Sequence, residues 1–260
     1  MKKKTVFFPP RPPGSPAPRF LLLVGLALTL AAGVATPGYG PATVRRMTDV
    51  TLRLSPVSLR SGLLSYREFL DRGVEETLQG YGGVDREELI KQAEREYILI
   101  PSLPHSLEPF ERIAWHFGRF AALVYLVNDP LAGSDDGRVR EIHQDYLQYL
   151  ERKLPVMIVS FDGYDAPPFK GDVRAYLNQR LQGEGRYRDG ILFCYYPKGK
   201  RVSSESFDDQ SNAFGAAQAM LSHAASDAAK LWFYTWQSME GDLSATPFYT
   251  GAADGAKQGP

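Results

Sequence analysis

The chain has 260 residues, of which 43% are hydrophobic and 23% charged, and this composition excludes a wholly disordered protein. Basic and acidic residues number 30 each, but residues 1–35 hold five basic residues and no acidic one, so the remaining 25 basic and 30 acidic residues give a net charge of −5. A mildly acidic body argues against general nucleic-acid binding, which needs a basic surface. The single cysteine, Cys194, excludes an internal disulfide framework.

The first 35 residues are typical of an export signal. A basic, proline-rich segment (1–19) precedes an uncharged apolar run of 15 residues (20–34), shorter than the roughly 20 residues that a spanning helix needs. Gly33 and Ala35 supply the small residues of a cleavage site after Ala35. We therefore predict a signal peptide over 1–35, or alternatively an uncleaved anchor that would be the only membrane contact. In both cases the body is exported, to the periplasm or the extracellular space.

The first predicted helix of the body begins at Ser55-Pro56, with serine as cap and proline in the first turn. The residues that follow at helical spacing on one face are Leu59, Leu63, Tyr66, Leu70 and Val74. Asp85 and Glu88 have the spacing of a capping box and predict the start of the next helix. The early part of the body therefore reads as helical.

Three longer helices are predicted further along the chain. The first runs from about 106–109 to Asn128 and is apolar on both sides, which is typical of a helix at the centre of a bundle. The second covers 136–154, with Val139, Ile142, Tyr146 and Leu150 facing inward, and the third covers 214–239. In the third helix, the shared apolar face consists of Phe214, Ala217, Leu221, Ala225, Ala228, Trp232 and Thr235.

Residues 155–205 are less regular. Met157–Phe161 and Ile191–Tyr196 are predicted as short strands or extended segments, and Asp172–Leu181 as a helix, because runs this short do not reveal their period. Residues 249–260 lack an apolar anchor and are predicted to be a disordered tail. The predicted fold is all-α: one helical bundle over 36–248 with a central buried helix.

Two histidines are the main candidates for chemistry. His223 and Asp227 have the i,i+4 spacing that can place two metal ligands side by side, but both fall opposite the apolar face of their helix. We expect them to be an exposed polar pair. His143 lies on the inward side of its helix, so its ring needs a hydrogen-bond partner, expected to be a carbonyl group or a tyrosine. The other interpretation of His143 is a residual metal ligand or a polar-pocket residue.

The remaining polar candidates receive structural interpretations. His105 and His116 have no partner at ligand spacing and are expected to be surface or packing residues. Asp129, Asp135 and Asp136 lack the pattern of a calcium loop and are expected to be solvated turn residues. Asp208 and Asp209 complement the dipole of the last helix, and Cys194 has apolar neighbours and is expected to be inert.

Three segments of the body follow the motif order of one family in a degenerate form. They are YGPATV at 39–44, GRFAALVYLVNDPLA at 118–132 and HQDYL at 143–147, and the closing segment FDDQSNAFGAAQAMLSHAASDAAKLWFYTW at 207–236 follows them. In this order they resemble the zinc-dependent phospholipase C and single-strand nuclease superfamily. The resemblance covers much of 39–240, and it implies an all-helical fold.

The resemblance also implies that the metal ligands of the family have been replaced. It places Tyr39 where the family has the tryptophan whose amino group binds zinc, and it retains His143. The other ligand positions hold Val44, Ala122, Leu126, Ala132 and Leu147. Hydrocarbon side chains have no lone pair for a metal, and one imidazole does not hold a catalytic zinc, which needs about three protein ligands. We therefore expect no cofactor and no zinc-dependent hydrolysis of phosphodiesters.

Two functional hypotheses follow. The first is a secreted or periplasmic non-catalytic protein, a binding or structural module with an unknown protein or small-molecule partner. The second is a metal-dependent phosphodiesterase of the phospholipase C or nuclease type with a relocated site. That site would bind zinc through His143 and acids from 129–136 or from 162–172.

Overall fold

A computed structural model describes residues 39–81, 83–165 and 169–249, and within these ranges every regular element is a helix. The all-α class predicted from the apolar spacing is confirmed. The helices are α1 (Pro41–Leu54), α2 (Val57–Ser65), α3 (Arg67–Tyr81), α4 (Arg86–Leu99), α5 (Phe110–Val127), α6 (Gly137–Lys153), α7 (Val173–Leu181), α8 (Gly185–Tyr195) and α9 (Asn212–Ser238). The predicted signal segment (1–35) and residues 250–260 of the predicted tail lie outside the described residues.

Helix α5 forms the centre of the bundle. It packs against α3, α4 and α9, and nearly every residue from Ile113 to Val127 is buried, whichever side of the helix it occupies. The helix ends at Val127 because Asn128 leaves the helical conformation and donates its side-chain amide to the Val124 carbonyl at 3.0 Å. The predicted central buried helix is therefore confirmed. No helix among the described residues is long and apolar enough to cross a membrane.

Two glycines let the backbones of α3 and α5 touch. A Cβ atom added at Gly73 would overlap the carbonyl group of Trp115, and one added at Gly118 would overlap the carbonyl group of Leu70. These are contacts with backbone, which does not move aside as the end of a flexible side chain does. The absence of a side chain at both positions therefore sets the distance between the two helices.

The predicted helix start at Ser55-Pro56 is wrong in detail. Ser55 ends α1 instead of capping α2, and its hydroxyl donates to the Thr51 carbonyl at 2.7 Å. The single helical face predicted from Leu59 to Val74 is divided between α2 and α3 at Tyr66, where φ is −123°. A serine that bonds to the carbonyl four residues back is consistent with a helix end, as is the following proline. Helix α1 itself precedes the first predicted helix and was not predicted.

Side-chain caps fix several helix starts. Asp85 caps α4 by accepting from the Glu87 amide at 3.0 Å, which confirms the predicted helix start. The reciprocal bonds of a capping box are not formed, because Asp85 does not accept from the Glu88 amide and the Glu88 carboxylate accepts from Gln92. The start of α1 is capped from another helix, because the carboxylate of Glu151 in α6 accepts from the amides of Ala42 and Thr43 at 2.8 and 3.0 Å. This cap joins α1 to α6.

The predictions for 155–205 have mixed outcomes. Asp172 caps α7 by accepting from Ala175 at 2.8 Å, which confirms the helix predicted over 172–181. The strand predicted over Ile191–Tyr196 is wrong, because this run lies in α8 with Ile191 and Tyr195 buried four residues apart. Met157–Phe161 is non-helical and pairs with no strand among the described residues. Helices α6 and α9 agree with their predicted ranges to within two residues at each end.

Substituting Gly118→Ala tests the contact between α3 and α5. We expect the free energy of unfolding to fall by about 2–4 kcal/mol, because the methyl group forces the two backbones apart. Urea unfolding of the full chain measures the change. The control is Gly80→Ala in α3, where a Cβ meets nothing within 4 Å; this substitution is expected to stabilise the helix by up to about 1 kcal/mol. Equal effects of the two substitutions would contradict the proposed contact.

Candidate functional site

An open groove lies between α1 and α3. Its volume is about 600 Å³, and Tyr39 and Val44, two of the positions that the resemblance assigns to metal ligands, line it. The other residues that line the groove are Pro41, Arg45, Thr48, Arg67, Asp71, Val74, Glu75, Leu78 and Gln79. The groove thus combines apolar side chains with charged side chains of both signs.

The charges of the groove are largely balanced. Arg67 forms ion pairs with Asp49 at 2.8 Å and with Asp71 at 2.7 Å, so its guanidinium group is already neutralised by the protein. Arg45 is mostly exposed, and it lies 3.9 Å from Asp49. Hydrogen bonds to the two carboxylates outweigh burial and raise the pKa of Arg67. The groove therefore presents two basic and two acidic side chains to a ligand, with no excess of either sign among its lining residues.

The other positions assigned by the resemblance are not among the residues that line this groove. Ala122 and Leu126 on α5 and Leu147 on α6 are buried, and Ala132 after α5 is half-buried. These side chains offer only carbon atoms to their surroundings, so they fill space and do not ligate a metal. Among the described residues, no group of three or more histidine, cysteine, aspartate or glutamate side chains could hold a metal ion.

His143 is directed inward, as predicted, but its partner is neither a carbonyl group nor a tyrosine. Its Nε2 donates to Asp129 Oδ2 at 2.7 Å, and the side chain of Asp129 is only 4% exposed. The expectation that Asp129 is a solvated turn residue is therefore wrong. Asp135 is exposed as expected, whereas Asp136 caps α6 by accepting from the Arg138 amide at 2.9 Å.

Each member of the Asp129–His143 pair favours the charged form of the other. Burial opposes charge on Asp129, but His143 and the Leu131 amide outweigh it and lower the pKa of the carboxyl group. Burial likewise opposes charge on His143, and Asp129 outweighs it and raises the pKa of the imidazole. The turn that follows α5 brings the carboxylate back over α6, since Asp129 Oδ1 also accepts from the Leu131 amide at 2.9 Å.

A second pair of charges lies beside the first. Arg86, at the start of α4, donates to the Asp129 carbonyl at 2.5 Å and lies 3.6 Å from Glu184, the residue that precedes α8. Burial raises the pKa of Glu184 to about 7, against the attraction of Arg86. The carboxyl group is therefore partly protonated near neutral pH. The polar cluster consists of Arg86 in α4, His143 in α6, Asp129 in the turn after α5 and Glu184 just before α8.

Several buried polar atoms around the polar cluster have no hydrogen-bond partner among the described residues. They are Arg86 Nε, Asn128 Oδ1, Tyr146 Oη and Glu184 Oε2. Burial, and then the negative charge of Asp129, raise the pKa of Tyr146, so its hydroxyl stays protonated. Unsatisfied polar atoms are costly in a protein interior, and the polar cluster therefore has hydrogen-bonding capacity to spare.

The relocated metal site is assembled only in part. His143 reaches one carboxylate, Asp129, from the acids of 129–136. From the acids of 162–172, Asp162 pairs with Arg180 and Asp172 caps α7, and neither is hydrogen-bonded to His143. The Asp129–His143 pair can hold and transfer a proton, but two adjacent donors are fewer than a catalytic zinc needs.

The expectation that His223 and Asp227 form an exposed pair is wrong. Asp227 is fully buried and accepts from Tyr176 Oη at 2.5 Å and from Arg180 Nε at 3.1 Å. His223 is half-buried beside the Tyr187 ring. The error arose because α7 and the segment before it cover the face of α9 opposite its apolar stripe. Burial lowers the pKa of Lys230, one turn further along α9, to about 8.

The remaining candidates have structural roles. His105 is exposed, and His116 is a packing residue whose Nδ1 lies 2.7 Å from Glu96 Oε2. Asp208 accepts from the Gln210 amide just before α9, which begins with Ser211 as its cap, and Asp209 pairs with Lys153. Cys194 is half-buried in α8 and packs against the core.

Sequence analysis missed the partners that give these groups their environment. Arg86, Arg180 and Glu184 belong to no motif and were not singled out from the sequence. A weak signal was present in each case, because all three lie within two residues of a helix end, where several elements converge. Their burial depends on neighbours distant in the sequence.

In comparisons with known proteins, no family model, no curated protein and no solved structure matches the chain. The resemblance to the phospholipase C and nuclease superfamily stays a prediction.

Glu184→Gln tests the environment of the polar cluster. In the folded protein the carboxyl group has a pKa of about 7, above its ordinary value of 4.5. Between these two pH values the folded protein binds more protons than the unfolded chain, so the free energy of unfolding falls as the pH rises through this interval. Glutamine has no such proton, so we expect the variant to match the wild type near pH 5 and to exceed its stability by up to about 3 kcal/mol near pH 8.

Urea unfolding between pH 5 and pH 8 measures this difference. The control is Glu205→Gln, an exposed position whose substitution should leave the pH profile unchanged. His143 contributes a pH dependence to all three proteins, because its raised pKa adds stability that is lost as the pH rises above about 6.5. A Glu184→Gln profile parallel to that of the wild type would contradict the buried, protonated carboxyl group.

Proposed function

We propose that the protein is an exported, non-catalytic helical binding protein, and that the groove between α1 and α3 holds a small, uncharged and largely apolar molecule. The observation that carries this proposal is the groove itself. Its volume of about 600 Å³ lies within the range of roughly 300–1,000 Å³ that is usual for small-molecule sites.

The chemistry of the groove supports an uncharged ligand. Arg45 and Arg67 are balanced by Asp71 and Glu75 among the lining residues, so a ligand of either charge would meet a like charge as well as an opposite one. The apolar side chains, among them Val44 and Leu78, gain free energy by covering hydrocarbon at about 25 cal/mol per Å². Apolar contact is thus the main source of affinity.

The resemblance supports the same proposal. Tyr39 and Val44 occupy positions that carry zinc ligands in the family, and in this chain both line the groove. A valine and a phenol present hydrocarbon, with one hydroxyl that is already engaged, since Tyr39 Oη donates to the Tyr125 carbonyl at 3.1 Å. The groove therefore retains a place for a ligand, without the donors of a metal centre.

Binding of Nile red, an uncharged apolar dye, tests the proposal. We expect saturable fluorescence enhancement with the full chain and a loss of affinity of about 5- to 50-fold in Leu78→Gln, because glutamine removes apolar area from the wall of the groove. The matched control is Leu64→Gln on α2, a half-exposed leucine outside the groove, which should bind as the wild type does. Equal affinities of the two variants would refute the groove as the site.

The relocated metal site is the second candidate function, favoured by the adjacent Asp129 and His143. Zinc analysis distinguishes the two candidates. After equilibration with zinc and dialysis against metal-free buffer, the full chain should retain far less than one zinc per molecule, and His143→Ala should behave identically. One zinc per chain that is lost in His143→Ala would support a phosphodiesterase and overturn the non-catalytic proposal.

A further inference from the structure

The segment Met157–Asp162 lies along α9 and is held there by side chains of the helix. Three alternate amides of the segment donate to three α9 side chains, one helical turn apart. The bonds run from Ile158 N to Gln218 Oε1 at 3.3 Å, from Ser160 N to Ser222 Oγ at 3.0 Å and from Asp162 N to Ser226 Oγ at 3.4 Å. The Ser160 carbonyl also accepts from Ser226 Oγ at 3.3 Å.

This pattern requires an extended backbone. Four residues of α-helix rise about 6 Å, and two residues of a β-strand rise about 6.6 Å. The side chains of Gln218, Ser222 and Ser226 therefore match every second amide of a strand. The segment therefore runs extended along α9, whose side chains bond to its amides as a neighbouring strand would, although it pairs with no strand among the described residues.

The two faces of this segment differ as those of an amphipathic strand do. Met157 is buried and Val159 and Phe161 pack on the core, whereas Ile158 is 68% exposed and Ser160 is exposed. Alternation of side chains between two faces is the period of a β-strand. Met157–Phe161, predicted as a short strand or an extended segment, thus has the alternating pattern of a strand but pairs with no strand among the described residues.

The edge of the segment that points away from α9 is open. Successive peptide groups point to opposite edges, so the amides of Val159 and Phe161 point away from α9, and neither has a hydrogen-bond partner in the described ranges. A buried peptide group without a partner is rare because it is costly. Without an internal partner among the described residues, these peptide groups offer a template for another strand.

We propose that this open edge pairs antiparallel with the same edge of a second copy of the chain, with Val159 opposite Val159. In this register the two Val159 residues exchange both of their backbone hydrogen bonds. Each Phe161 amide donates to the Met157 carbonyl of the other copy, while the Met157 amide remains bonded to the Leu154 carbonyl of its own chain. The pairing gives four new hydrogen bonds related by a twofold axis.

Charge favours a second copy over other occupants. Residues 156–161 contain no charged side chain, so two copies approach without repulsion, whereas a charged peptide would find no opposite charge on this edge. The chain's own residues 250–260 (TGAADGAKQGP) are poor strand formers, with three glycines and a proline. Exposed Val156 and Ile158 on the outer face add apolar contact between two copies.

The expected affinity is modest. A strand pair of this length buries less area than the roughly 1,200 Å² of a stable interface, so we expect a dissociation constant on the order of 10⁻⁵ to 10⁻³ M. Sedimentation velocity of the full chain across this range of concentration should show a reversible dimer. A chain that stays monomeric throughout the range would overturn the proposal.

The variants Val159→Pro and Val159→Thr test whether the dimer forms through the backbone amide of Val159. Proline removes the amide that points outward and keeps an extended φ, so it should weaken the dimer by at least about tenfold. Threonine keeps the amide and the branched shape, so its dimer should match that of the wild type. Circular dichroism verifies that both variants keep the helical fold. Undiminished dimerisation of folded Val159→Pro would contradict pairing through this edge.

Cysteine cross-linking tests the register even if the proline variant fails to fold. In the proposed pairing Ile158 lies opposite Ser160 of the other copy at a Cα separation of about 4.5 Å, which is within disulfide range. The two copies of Ile158, and likewise the two copies of Ser160, are diagonal neighbours about 8 Å apart. In a Cys194→Ser background, a mixture of Ile158→Cys and Ser160→Cys should form mixed disulfides faster than either variant alone. Faster cross-linking of either variant with itself would refute the register.

Discussion

The backbone contact between α3 and α5 at Gly73 and Gly118 is the constraint on which the rest of the molecule depends. It brings two helices closer than side chains would allow, so that α5 is enclosed on every side. Because α5 is enclosed, the turn at its end is also interior, and Asp129 is buried there. On its other side, α3 forms the wall of the groove that α1 completes. The groove and the polar cluster therefore both depend on the backbone contact between α3 and α5.

The interior of this bundle contains more charge than its helical pattern indicates. Asp129 is paired with His143, Asp227 with Arg180, and Glu96 with Arg119 at 2.6 Å, and each carboxylate is nearly or fully buried. Buried ions are tolerated only when a partner and hydrogen bonds replace the water that they lose. Glu184 is the exception, because one of its oxygens has no hydrogen bond and its carboxyl group retains its proton more readily.

The sequence patterns predicted the long helices correctly, but they did not predict the secondary structure of several shorter segments. Helices α5, α6 and α9 were predicted because an apolar period repeated over 17 or more residues is distinct from chance. The strand prediction at Ile191–Tyr196 was wrong because a short apolar run also fits a helix that buries every fourth residue. In α1, threonines supply much of the buried face, so the apolar signal is diluted although Pro41 marks the helix start.

The candidate site was predictable only in part. His143 was identified by its position on an inward face, a property of its own helix. Its partner Asp129 lies 14 residues earlier, and Arg86 lies 43 residues before Asp129. Both contacts depend on how α4, α5 and α6 pack together. Asp227 was placed on an exposed face because the apolar stripe of α9 gave no sign that α7 covers the opposite side. The apolar period of a helix predicts which face a residue occupies, but it does not predict which parts of the chain pack against that face.

Hydrogen exchange of backbone amides in the full chain tests the central claim most directly. If α5 is the enclosed axis of the bundle, its amides exchange only through global unfolding, and they are the slowest in the protein together with those of α3 that face it. Exchange of the α5 amides through local opening, markedly faster than that of α6 and α9, would show that the bundle is not organised around this helix.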